Sequence, residues 1–216
     1  MTYNITKKLI PVFLALLFLE LFTVSISHAL TVDEAVLAVE KHYQNLLDLT
    51  AKVSQKNMLK AVDRTQKYEG TLRIKKPGKL WLEYTNGQLI LINGKEALFY
   101  SKKSEQIIKK TFTDFAQMNI PVAFLLGAAH IQDDFDVHQP DSKTPGFLEL
   151  LPKKPNAAMK KLTIRTDETG CITRMSIYDK TGNTTEITFS DIKEGTSSND
   201  QLFLFKIPKG TVIIEQ

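Results

Sequence analysis

The chain is poor in cysteine, since Cys171 is the only one among 216 residues. An intramolecular disulfide is therefore excluded, and stability must come from a hydrophobic core. Cys171 follows Gly170 at the start of a predicted strand, where we expect it to act as a small buried hydrophobic residue. The net charge of +4 is too small to favour a nucleic-acid partner.

The sequence also lacks the usual motifs of enzymes. No phosphate-binding loop, serine-nucleophile elbow or helical zinc-protease motif is present, and Gly87 and Gly94 belong to predicted hairpin turns. One stretch gathers metal-ligating residue types: His130, Asp133, Asp134, Asp136 and His138. Because Asp136 and His138 alternate with apolar residues, we interpret them as the solvated face of a strand. We therefore predict no catalytic residue, no metal and no cofactor.

The first residues have the pattern of a secretory signal. Lys7 and Lys8 precede an apolar run over residues 9–19, and Ser27-His28-Ala29 supplies small residues at a cleavage site. The run is shorter than the roughly 20 residues of a membrane-spanning helix, which disfavours a retained anchor. We predict that residues 1–29 are removed and that residues 30–216 form a single, soluble, exported domain.

Hydrophobic periodicity then predicts an N-terminal helix followed by strands. Thr31 and Glu34 form a capping-box pattern ahead of apolar residues at helical spacing: Ala35, Val36, Val39, Tyr43, Leu46 and Leu47. From Leu49 the period changes to two, and the pairs Asn86-Gly87 and Asn93-Gly94 indicate hairpins. The middle of the chain is thus predicted to be an antiparallel meander.

Residues 112–131 interrupt the strands with two predicted short helices, for which Thr113 is the expected cap and Pro121 the first-turn residue. Further strands are predicted up to a last one at residues 202–207, about ten or eleven in all. The strands at residues 89–92, 98–100 and 202–205 are apolar on both faces, so both faces must be covered. The N-terminal helix accounts for one face, and either a second sheet or an apolar cavity closed by the short helices would account for the other.

The order of these features resembles a known family. The chain resembles the LolA family, the carriers of outer-membrane lipoproteins, in the segments "YEGTLRIKKPGKLWLEY", "QLILINGKEALFYSKKSEQI" and "IPVAFLLG". The likeness extends through "LELLPKKP" to "FKIPKGTVII". Two positions depart from the family pattern. Lys76 stands where the family most often has arginine, and Trp81 lies one place earlier than expected.

The resemblance implies an α+β fold, in which a strongly curved, unclosed antiparallel sheet, or half-barrel, carries an N-terminal helix and short lid helices over an apolar cavity. It implies a monomeric periplasmic carrier without enzymatic activity, which accepts lipoproteins from an inner-membrane ABC transporter, shields their acyl chains and delivers them to an outer-membrane receptor. An envelope sensor, or a carrier of another lipid, is the alternative.

The resemblance also implies site residues. Lys76 is the expected lid-gating residue. The expected cavity residues are Leu72, Ile74, Leu80, Trp81, Leu82, Tyr84, Leu89, Leu91, Phe99, Phe124 and Leu125.

Overall fold

A computed structural model of the protein describes residues 31–118, 120–127, 130–140, 146–154 and 159–215. The predicted signal segment lies outside the described residues. The helices are α1 (Val32–Asn45), α2 (Phe112–Met118), α3 (Ile120–Leu125) and α4 (Ile131–Asp134), with 3-10 turns at Lys60–Val62 and Asp200–Phe203. The strands are β1 (Asp48–Leu59), β2 (Arg64–Lys75), β3 (Lys79–Tyr84), β4 (Gln88–Asn93), β5 (Glu96–Ser101), β6 (Gln106–Thr111), β7 (Phe135–His138), β8 (Phe147–Pro152), β9 (Lys161–Thr166), β10 (Ile172–Tyr178), β11 (Thr184–Glu194) and β12 (Val212–Glu215).

All the strands belong to one sheet with the order β12-β6-β5-β4-β3-β2-β1-β11-β10-β9-β8-β7. Every neighbouring pair is antiparallel except β12 and β6, which are parallel. The register shifts between Thr50 and Lys52 in β1 and between Ile172 and Arg174 in β10, and such irregularities bend the strands. The sheet is curved and unclosed, and the predicted fold class is confirmed.

Helix α1 begins at the predicted capping box. The Thr31 hydroxyl accepts from the Glu34 amide at 3.3 Å, and the Thr31 amide donates to the Glu34 carboxylate at 2.8 Å. The apolar face packs Val36, Val39 and Tyr43 against the sheet, and each is about 2% exposed. Leu47 departs from the prediction because the helix has ended before it, and its side chain is exposed.

The part of the sheet formed by β3 to β6 has two apolar faces. We call the one that α1, α2 and α3 cover the inner face and the opposite one the outer face. Because residues directly opposite each other on paired strands share a face, cross-strand partners trace the inner face from β2 to β6. That row is Leu72, Leu82, Ile90, Phe99 and Ile108.

The outer face is covered by the C-terminal segment rather than by a second sheet. Phe203, Phe205 and Ile207 pack onto a cluster that includes Trp81 and Leu91. The ring centroid of Phe205 lies 6.3 Å from that of Trp81. The strands that are apolar on both sides are therefore buried by helices on one face and by this segment on the other.

The predicted strand at residues 202–207 is wrong. The Asn199 side chain accepts from the Gln201 amide at 2.9 Å and starts a 3-10 turn, in which only Phe203 is fully buried. Leu202 and Leu204 are exposed, so this stretch is not covered on both sides. The last strand is instead β12, which follows the turn at Gly210.

Within the described ranges, no helix has the length and hydrophobicity to cross a bilayer.

Candidate functional site

Helices α2 and α3, with the turn at Leu126 and Gly127, form a lid over the inner face. The Phe115 ring packs on Phe99 with centroids 5.1 Å apart, and the Phe124 ring packs on Phe135 at 5.7 Å. Phe115 and Phe124 are both almost fully buried. The lid is thus held mainly by non-directional apolar contacts, which other apolar groups could replace.

The N-terminal cap of α2 is Thr111 and not the predicted Thr113. The Thr111 hydroxyl accepts from the Asp114 amide at 3.1 Å and donates to the Asp114 carboxylate at 2.6 Å. A cap must lie outside the helical conformation, and Thr113 is already inside the first turn. The lid therefore begins directly at the end of β6.

Lys76 joins the turn between β2 and β3 to the end of the lid. Its Nζ donates to the Leu126 carbonyl at 2.5 Å, and its backbone amide donates to the Leu47 carbonyl at 2.8 Å. The last carbonyls of a helix have no partner within the helix, so a side-chain donor is needed at this position. Lys76 supplies that donor.

The surroundings of the Lys76 ammonium group are tight and partly apolar. Gly127 lies beside it with φ +63°, and a Cβ on that glycine would lie 2.4 Å from Lys76 Nζ and 2.8 Å from the Tyr43 carbonyl oxygen. Burial lowers the pKa of Lys76. The contact is therefore a single donor in a partly dehydrated gap, where an arginine would offer a planar fork of donors.

The structure separates the residues predicted to line the cavity into two groups. Eight belong to the inner-face core: Leu72, Ile74, Leu80, Leu82, Tyr84, Phe99, Phe124 and Leu125. Trp81, Leu89 and Leu91 belong to the outer-face cluster, because successive residues of a strand point to opposite faces. The early position of the tryptophan thus places it away from the lid.

A cavity of about 420 Å³ opens where the inner face extends past the lid. Its apolar lining includes Tyr68, Ile90 and Ile108, which sequence analysis did not select as site residues. These three residues lie on the same face of the sheet as Leu72 and Phe99, and the alternating pattern of the strands is the sequence signal that indicates it. The volume falls in the range of about 300–1,000 Å³ that is common for ligand sites.

The rim of this cavity is polar and hydrogen bonded. The Tyr84 hydroxyl donates to Gln55 Oε1, and the Tyr68 ring packs edge-on against Tyr84 with centroids 6.0 Å apart. Burial and the neighbouring Tyr68 raise the pKa of Tyr84 to about 12. Tyr84 is therefore a neutral donor at physiological pH, and no charged side chain is among the described residues that line the cavity.

The stretch from His130 to His138 does not form a metal centre among the described residues. Asp136 and His138 are exposed, whereas Phe135, the first residue of β7, is buried. This confirms the predicted solvated face. Across the described ranges, only His42, Cys171 and Glu194 bring three such ligand atoms together.

Comparison with known proteins identifies the family. The family model of outer membrane lipoprotein carrier protein LolA matches residues 44–206. The outer-membrane lipoprotein carrier protein of Nitrosomonas europaea is 27% identical over 183 residues, which cover 83% of this chain and 88% of that protein. The outer-membrane lipoprotein carrier protein of Cupriavidus necator is 29% identical over 150 residues, which cover 68% of this chain and 70% of that protein.

A solved structure from Thermus thermophilus, of an uncharacterised conserved protein, shares the fold. Its TM-score is 0.51 at 12% identity, and the match covers 85% of this chain and 98% of that one. The match to the family model extends over most of the described sheet, from the end of α1 to the segment on the outer face. The chain therefore belongs to the LolA family of outer membrane lipoprotein carrier proteins.

Proposed function

We propose that this protein is a periplasmic carrier that shields the acyl chains of lipoproteins on its inner face. Membership of the family implies lipoprotein transport and lipid binding, and its members are carriers rather than enzymes. In the proposed cycle the protein accepts lipoproteins that an inner-membrane ABC transporter releases. It then gives them to a receptor at the outer membrane.

The energetic need for such a carrier is direct. Each methylene left in water costs about 0.8 kcal/mol, so a free acyl anchor cannot cross an aqueous compartment. The inner face offers a continuous apolar row, but Phe115 and Phe124 of the lid pack on the inner face at Phe99 and Phe135. In the proposed cycle the lid moves outward and acyl chains take the places of these rings. Because one apolar surface replaces another, the net free energy of exchange stays small enough for release.

Lys76 is the proposed latch. A net hydrogen bond contributes about 0.5–1.5 kcal/mol, so the contact with Leu126 favours the closed lid without locking it. The fit of a partly buried donor to an unpartnered helix-end carbonyl is the observation that carries this part of the proposal. It supports a lid that opens when cargo is offered.

We also propose that residues 1–29 are a signal segment removed on export and that residues 30–216 act as a monomeric domain. The mass of the protein isolated from the periplasm should equal that of residues 30–216, and its elution volume on gel filtration should match one chain. A mass that includes residue 1 would contradict cleavage.

The carrier function is tested by release of lipoproteins from spheroplasts. The mature protein, incubated with energised inner-membrane spheroplasts, should release lipoproteins into a soluble complex. If none is released while an authentic carrier succeeds in the same preparation, the proposal fails. Mass spectrometry of lipid extracted from the purified protein then distinguishes a carrier of another lipid, and a lipid-free protein that binds only a partner would indicate a sensor.

The same assay tests the latch. We expect Lys76→Ala to change the yield of transfer more than the free energy of unfolding, because the side chain makes one contact with the lid and little with the core. Lys79→Ala is the matched control, since Lys79 leaves the same turn but pairs with Asp200 at 2.8 Å. Normal transfer by Lys76→Ala together with a collapse of its stability would make Lys76 structural.

A further inference from the structure

His42, Cys171 and Glu194 meet at the end of α1, away from the cavity and the lid latch. His42 lies in the last turn of α1, Cys171 immediately precedes β10, and Glu194 ends β11. The imidazole, thiol and carboxylate ligand atoms all lie within 4.8 Å of one another. Three elements distant in sequence thus converge on one point.

One nitrogen of the His42 imidazole lacks a hydrogen-bond partner within the described part of the chain. The side chain is 10% exposed, and that nitrogen, Nε2, is buried. Glu194 Oε1 lies 3.0 Å from Nε2, a close ionic contact outside hydrogen-bonding geometry. When Nδ1 carries the imidazole proton, the Nε2 lone pair and the Glu194 carboxylate can bind the same cation.

We propose that His42, Cys171 and Glu194 bind a divalent zinc-type metal ion. Imidazole nitrogen, thiolate sulfur and carboxylate oxygen together are ligands that Zn²⁺ accepts in tetrahedral sites. Neighbouring ligands in such a site are about 3.5 Å apart. Glu194 Oε1 already lies 3.0 Å from His42 Nε2, so the contraction that the site needs, about 1 Å, falls on the distances to the Cys171 thiol.

The neighbouring residues suit this role. The Asp167 carboxylate accepts from the Cys171 amide at 3.0 Å, and the Tyr43 hydroxyl accepts from the Ile172 amide at 3.2 Å, so the loop that carries the thiol is fixed on both sides. Such outer contacts orient metal ligands. Burial and the charge of Asp167 raise the pKa of the Cys171 thiol to about 11, and a bound cation displaces that proton into solvent.

A path for the ion is also present. A groove of about 540 Å³ runs along α1 and is lined by His42, Glu194, Lys41 and Thr169. Water from the groove would complete the coordination, because three protein ligands leave one tetrahedral position open. The ion would tie the end of α1 to β10 and β11, and the site is independent of the proposed carrier cycle.

Titration with Co²⁺ tests this inference on the untagged, reduced mature protein. We expect one Co²⁺ per chain, with the charge-transfer absorption of a cobalt–thiolate bond, and loss of that absorption when Zn²⁺ is added. Because Cys171 is the only cysteine, the absorption reports this site alone. Co²⁺ binding without the thiolate absorption, or no binding, would overturn the proposal.

Variants assign the other ligands. His42→Gln and Glu194→Gln should each weaken Co²⁺ binding at least about tenfold, whereas His138→Gln, at an exposed histidine outside the cluster, should not change it. Cys171→Ser should abolish the thiolate absorption. If that variant does not fold, protection of the wild-type thiol from alkylation by added Zn²⁺ gives the same information, and unprotected alkylation contradicts the site. Equal affinities for His42→Gln and His138→Gln would also contradict it.

Discussion

The Lys76 side chain combines a hydrogen bond with incomplete hydration. Its Nζ reaches the Leu126 carbonyl, and burial lowers its pKa. Both effects follow from one geometry, since the gap between the lid and the β2–β3 turn is just wide enough for the amine and too narrow for a full water shell. The Lys76 ammonium group therefore keeps its charge at a cost in free energy, and this cost weakens its contact with the lid.

The pH dependence of stability should report this cost. Because the pKa of Lys76 is lower in the folded state than the ordinary 10.5, the unfolded chain binds more protons between the two values, and stability from this group rises with pH in that window. We expect the free energy of unfolding of wild type, minus that of Lys76→Met, to increase as the pH rises toward 10.5. Urea denaturation at each pH measures the difference, in which other titrating groups cancel. A difference that falls with pH would contradict a dehydrated ammonium.

Gly127 sets the closeness of that contact. It shares φ +63° with Gly195, but a Cβ on Gly195 would meet nothing within 4 Å, whereas on Gly127 it would press on the Tyr43 carbonyl at 2.8 Å. We expect Gly195→Ala to cost about 1–2 kcal/mol from the left-handed backbone alone, and Gly127→Ala to cost at least about 1 kcal/mol more. Equilibrium unfolding of both variants measures the two costs. Equal costs would show that the turn at Gly127 can accommodate a Cβ atom.

The C-terminal segment acts as a separate structural element, because it buries the outer face of the meander. Phe203 is 2% exposed in the outer-face cluster, while the adjacent Leu204 is 74% exposed. The single tryptophan, Trp81, belongs to this cluster, so its fluorescence reports the attachment of the segment.

Truncation of Phe203 and truncation of Leu204 should change stability by very different amounts. Phe203→Ala should lower the free energy of unfolding by about 3–5 kcal/mol and shift Trp81 emission to longer wavelength, because the cavity exposes the indole. Leu204→Ala should change stability by less than about 0.5 kcal/mol. Denaturation followed by fluorescence measures both. A small effect of Phe203→Ala would mean that the segment is not needed to cover the sheet.

Local signals made most elements predictable. The capping box at Thr31, the Asn-Gly turns and the alternation in β2 each act within a few residues, and the structure confirms them. The pairing of β12 with β6 joins residues about a hundred positions apart, so no local pattern indicates it. The apolar run at residues 202–207 predicts a strand wrongly, because a 3-10 turn that buries one side chain has a similar composition.

The site was less predictable than the fold. Strands that are apolar on both sides have no amphipathic signal, so periodicity did not decide whether Trp81 or its neighbours Leu80 and Leu82 face the lid. Pairing decides it, because Leu82 lies opposite Leu72 and Ile90. Lys76 was selected by family resemblance, and the carbonyl that it contacts comes from a part of the chain 50 residues away. The cluster at His42 escaped sequence analysis because its members lie far apart in the chain.

At the scale of the whole molecule, one curved sheet keeps two apolar surfaces apart. The outer surface is covered by the C-terminal segment, and the inner surface is covered by short helices that make apolar contacts and a hydrogen bond with Lys76. In the proposed cycle the inner covering opens while the sheet stays folded. The central claim is therefore that cargo acyl chains contact the inner face and not the outer one.

Paired photo-cross-linking tests this claim most directly. A photoreactive phenylalanine analogue replaces either Leu82 or Trp81, which are adjacent in β3, both partly buried, and on opposite faces. After incubation with lipoprotein-releasing spheroplasts and irradiation, the probe at position 82 should cross-link acylated lipoprotein and the probe at position 81 should not. Non-acylated cargo should give no product at either position. Cross-linking from position 81 alone, or equally from both, would contradict the account.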